Sequence, residues 1–71
     1  MDENWVKVYS SRSLASAEII KSMLLENDLD AVLLNKLDSS YLAFGQAEVY
    51  VNSMHEEVAK KLIEQDFQAN E

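Results

Sequence analysis

A chain of 71 residues has room for a single domain around one hydrophobic core, and every other feature is read under that limit. So short a chain buries only about 60% of the surface its unfolded form exposes. Small domains often add disulfides, a metal or a second subunit to compensate. The sequence has no cysteine and one histidine, so disulfides and thiolate or multi-histidine zinc sites are ruled out within the chain. No cofactor is expected. Self-association is the stabilising device that remains.

Proline is absent and Gly45 is the sole glycine, so boundaries must be read from periodicity and capping residues. Trp5-Val6-Lys7-Val8-Tyr9 is rich in β-branched and aromatic residues. It predicts a strand with Val6 and Val8 on one face and Trp5, Lys7 and Tyr9 on the other. Ser13 is a candidate N-cap for a helix from Leu14 to about Asn27, which shows Ala17, Ile20 and Leu24 at helical spacing. Asn27 or Asp28 is expected to end this helix in a left-handed conformation. Ala31-Val32-Leu33-Leu34 has strand length, and Glu48-Val49-Tyr50-Val51 alternates as a third strand. Ser53 and Glu56 have capping-box spacing before a helix over 54–65, whose stripe is Val58, Ala59, Leu62 and Ile63.

The order β-α-β-β-α predicts an α+β, two-layer sandwich. Residues 1–71 would form a single ferredoxin-like domain, a truncated plait with both helices on one face of a three-stranded sheet. The missing fourth strand would leave the first strand with an exposed edge, and such edges pair with other chains. The opposite sheet face would carry Trp5, Lys7, Tyr9, Glu48 and Tyr50. That concentration of aromatics marks a candidate partner-binding surface, with Trp5, Lys7, Tyr9 and Tyr50 as its residues. Cross-strand stabilisation by half-exposed aromatics is the alternative, and it stays open.

Formal net charge is −7. The six cations, Lys7, Arg12, Lys21, Lys36, Lys60 and Lys61, form no basic patch. Nucleic acid and anionic membrane surfaces are therefore disfavoured as partners. The acidic start Met1-Asp2-Glu3-Asn4 lacks the pattern of a signal peptide, so a cytoplasmic location is expected.

No catalytic or metal constellation emerges. His55 is explained by its place at the start of a helix, and Glu26, Asp28, Asp30 and Asp38 by a solvated acidic surface lacking calcium-loop spacing. The single glycine has no neighbouring lysine, which argues against a phosphate cradle. The stretch Asp38-Ser39-Ser40-Tyr41-Leu42-Ala43-Phe44-Gly45 falls in a connection over 37–46. Its side chains either seal the open end of the core or close over a small molecule. In the second case Asp38, Ser39, Ser40, Tyr41, Phe44 and Gly45 form a ligand loop, with the site between it and Trp5 or Tyr9.

Four stretches carry a family resemblance: Trp5-Val6-Lys7-Val8-Tyr9, the helix with Ala17-Glu18 and Leu24-Leu25-Glu26-Asn27, Ala31-Val32-Leu33-Leu34-Asn35, and Phe44-Gly45-Gln46-Ala47-Glu48-Val49-Tyr50-Val51. With Asp38-Ser39-Ser40-Tyr41 before the glycine, the chain resembles the putative prokaryotic signal-transducing protein family, a bacterial domain of unknown function. The resemblance implies a ferredoxin-like fold related to the trimeric nitrogen-regulatory signal proteins. It brings no catalytic residues. The loops with which those longer proteins bind nucleotide and 2-oxoglutarate have no counterpart here, nor does the C-terminal cysteine-rich metal segment of some relatives.

The expected function is thus a non-enzymatic binding or interaction module with a regulatory role, acting on a protein partner or on a second copy as a homodimer. A metabolite sensor with its ligand under the 38–45 loop is the alternative.

Overall fold

The computed structural model describes residues 4–36 and 45–69, the last four of them as helix backbone. Strand β1 spans Trp5–Ser11, helix α1 Leu14–Glu26, β2 Ala31–Asn35 and β3 Ala47–Asn52. A 3₁₀ turn over Ser53–His55 leads into helix α2, Glu56–Ala69. The strands form one sheet in the order β1-β3-β2, and β3 is antiparallel to both neighbours. This is the strand order of a β-α-β-β-α-β plait without its last strand.

The core explains why both helices share a side. Ala47, Val49 and Val51, all on one face of β3, are fully buried. Ala17, Ile20 and Leu24 of α1 and Ala59 and Ile63 of α2 join them in one cluster with Leu29. Ala31 and Leu33 of β2 and Val6, Val8 and Tyr9 of β1 pack against its margin. Among the described residues no polar or charged residue is buried.

Capping fixes the ends of α1. The Ser13 hydroxyl accepts from the Ser16 amide at 3.2 Å, which satisfies one of the unpaired donors of the first turn. At the other end Asp28 takes φ 65, the left-handed conformation that a short polar side chain tolerates. The Leu29 amide then donates to the Leu24 carbonyl at 3.1 Å and the Asp28 amide to that of Leu25 at 3.0 Å. Leu29 thereby folds back into the core beside Leu24.

Two expectations need correction. The capping residue before the second helix is Asn52, not Ser53: its side-chain oxygen accepts from the Met54 amide at 3.1 Å. Ser53 opens the 3₁₀ turn, so α2 begins two residues later than the capping-box pattern predicts. The second correction concerns Tyr9. The pairing runs Lys7 to Tyr50 and then Tyr9 to Val49, with Val8 as the extra residue of a β-bulge. A bulge sets two residues against one and shifts the alternation by one position. Tyr9 therefore joins Val8 on the helix side, and Ser10 takes its place on the open face, opposite Glu48.

An open sheet face with one charged hub

Residues directly opposed across an antiparallel pair share a face, so the register gives the composition of the side turned away from the helices. One row across the sheet is Lys7, Tyr50 and Val32, and the next is Ser10, Glu48 and Leu34. Trp5 and Asn52 form a further pair beyond the first row. Trp5, Val32, Leu34 and Tyr50 are all partly buried. Among the described residues the core cluster lies on the opposite side of the sheet.

Glu48 organises the polar part. Lys36 Nζ lies 3.0 Å from its Oε1 and Lys7 Nζ 3.5 Å from its Oε2. The Tyr50 hydroxyl donates to Oε1 at 2.9 Å. The Glu48 side chain is only 13% exposed, whereas those of Lys7 and Lys36 are 49% and 55% exposed. The Lys36 ammonium and the Tyr50 hydroxyl together hold the Glu48 carboxyl below the ordinary carboxylate range. Lys36 is raised in turn, chiefly by its hydrogen bond to Glu48. A carboxylate so committed is a poor proton acceptor. This side of the sheet carries two cations, a tryptophan and aliphatic side chains.

Of the residues expected to meet a partner, Trp5, Lys7 and Tyr50 come together on this face and Tyr9 does not. Val32, Leu34 and Lys36 belong to it without having been singled out. Their signal was the alternation of β2 carried one step past its end, since 32, 34 and 36 share a parity with Glu48 and Tyr50. Asp38, Ser39, Ser40, Tyr41 and Phe44 of the ligand-loop expectation lie outside the described residues. Gly45 is described, and its φ of 89 is the turn conformation expected of it.

His55 closes the 3₁₀ turn, and its neighbour Glu56 is paired with Lys60 at 2.8 Å along α2. The open grooves among the described residues include two beside these features. The larger, ≈ 590 Å³, has a described lining from α1 alone, including Ile19 and Met23. The smaller, ≈ 410 Å³, lies at the β1 edge between Lys7, Val8, Tyr9 and Ser10 and the α2 residue Ile63.

The fold defines the class: a small two-layer α+β domain whose sheet carries both helices on one side. Comparison with known families gives the particular assignment. Residues 5–65 match the family described as putative prokaryotic signal transducing protein, and the chain belongs to it. No curated protein and no solved structure matches. Among the described residues no helix is long and apolar enough to cross a membrane.

Proposed function

We propose that this protein is a non-catalytic interaction module of a bacterial signalling pathway, and that it acts by binding a protein partner on the open face of its sheet. The observation that carries the reading is the side-by-side placement of Trp5, Tyr50, Val32 and Leu34 around the Lys7–Glu48–Lys36 cluster. Interfaces favour aromatic anchors within a polar rim, and the energy concentrates on the anchors. A cytoplasmic site of action belongs to the same proposal.

Site-specific photo-crosslinking in cells tests it. A crosslinking side chain at position 5, 32 or 50 is expected to trap a discrete protein species, and one at the exposed positions 57 or 61 of α2 is not. Trp5→Ala in the same cells is expected to lower the yield from position 32 while the purified variant stays folded. Equal trapping from the sheet face and from α2 sinks the reading. So does an unchanged yield in the Trp5→Ala background.

A further inference from the structure

Among the described strands β1 is an edge of the sheet, which presents backbone as well as side chains, and two hydrogen bonds set its phase. The Ser53 amide donates to the Asn4 carbonyl at 2.6 Å. In an antiparallel ladder, bonded and non-bonded pairs alternate. Asn4 and Val6 therefore direct their amide and carbonyl groups toward β3, and Trp5 and Lys7 direct theirs away from it. On the far side the Lys36 amide donates to the Gln46 carbonyl at 3.1 Å. The even-numbered residues of β3 thus serve β2 and the odd-numbered residues serve β1. The two phases agree.

Beside this edge runs the groove lined by Lys7, Val8, Tyr9, Ser10 and Ile63. The bulge builds it: with Val8 and Tyr9 both turned to the helix side, β1 and α2 form its two walls. Its described lining holds one cation and no carboxylate, in a chain of net charge −7.

We propose that this groove takes an extended acidic–apolar peptide segment of another protein, added to the sheet as a fourth strand beside β1. The inference rests on the reading that the molecule works by protein contact, and it names the partner's chemistry. Only another extended backbone matches the outward amide and carbonyl groups of Trp5 and Lys7, and edge strand with flanking groove is a recurrent peptide-binding geometry. Strand alternation then sets the side chains. Residues of one parity face Val8, Tyr9 and Ile63 and are apolar. Those of the other parity lie on the open face beside Lys7, where a carboxylate is favoured. A second copy of β1 fits this slot less well. Its bulge interrupts a regular ladder, it brings another lysine toward Lys7, and both chains carry the same negative charge. Lys7 and Lys36 share the one carboxylate of Glu48, so this cluster keeps a net positive charge, and at physiological salt a screening length of about 8 Å weakens the pull of acidic residues farther away.

The test is a randomised peptide library displayed on phage and selected against the full chain at physiological salt. Enriched peptides are expected to alternate apolar with acidic residues. N-methylation of a synthetic winner at alternate residues is expected to weaken binding about tenfold, the loss of one well-formed hydrogen bond. Lys7→Glu is expected to weaken the same peptide and to accept its Glu-to-Lys counterpart, with an unchanged melting curve as the control for folding. Winners without alternation, no winners at all, or indifference to N-methylation each overturn the inference. If binding ignores N-methylation but is lost in Trp5→Ala, the fourth-strand claim fails while the sheet-face reading stands. If the protein instead dimerises through β1, shown by concentration-dependent mass and protected Lys7 amides, the occupant is a second copy and the inference fails.

Discussion

The two faces of β3 are built from neighbouring residues and obey different physics. Ala47, Val49 and Val51 are fully buried, and Glu48, Tyr50 and Asn52 between them are only partly covered. The buried face is held by apolar packing, which carries no titratable group of its own. The open face is held by one carboxylate, two ammonium groups and a phenol. Under the proposed function, that contrast separates what keeps the domain folded from the surface that meets a partner.

The sharpest break is expected from Leu24→Ala, which leaves a cavity under β3 and should cost about 2–5 kcal/mol in chemical denaturation. Such a loss approaches the whole stability of so small a domain. Tyr9 and Trp5 come next, because they were expected on one face and lie on two. Tyr9→Ser should lower stability by roughly 1–3 kcal/mol through lost apolar burial, and it should leave partner trapping by the folded fraction intact. Trp5→Ser should do the reverse. Identical behaviour of the pair in melting and trapping would contradict the bulge.

Asp28→Gly should raise stability by about 1 kcal/mol, because glycine occupies the left-handed region without steric cost. Denaturation midpoints check it. The smallest effect belongs to Glu48→Gln. The folded-state carboxyl titrates below its ordinary range, so its contribution exists above the unfolded value and is lost as pH falls through the folded one. Wild type should therefore melt slightly above the variant near neutral pH and coincide with it in strong acid. A difference that persists in acid would mean that Glu48 acts through packing.

Much of the fold could be read from the residues, because each element carried a local physical signal. Alternation marked β1 and β3, helical spacing marked α1, and Ser13 and Asp28 bounded that helix as their side chains predict. Strand order followed from matching the order β-α-β-β-α to a plait without its last strand. The bulge at Val8 had no such signal, since Val8-Tyr9 looks like continued alternation until the partner strand is present. The Asn52 cap was hidden for a related reason. Asn52 ends a strand and caps a turn at once, and the serine after it offered a more familiar pattern. On the candidate site, Trp5, Lys7 and Tyr50 followed from alternation alone. The alternation of β2 carried one step further puts Lys36 on the same side, but its pairing with Glu48 emerges only from the register between β2 and β3.

The division of labour along β3, odd residues bonded to one neighbour and even residues to the other, bears on cooperativity. Among the described strands each flanking strand pairs with β3 alone, so neither can persist as a sheet once it detaches. Amide exchange at Val49 and Tyr50 should proceed only through unfolding of the entire molecule, while the outward amides of Lys7 and Leu33 exchange freely from the native state. A chain with so few residues in its core gains from that arrangement a single melting unit, with no partly folded sheet left to aggregate.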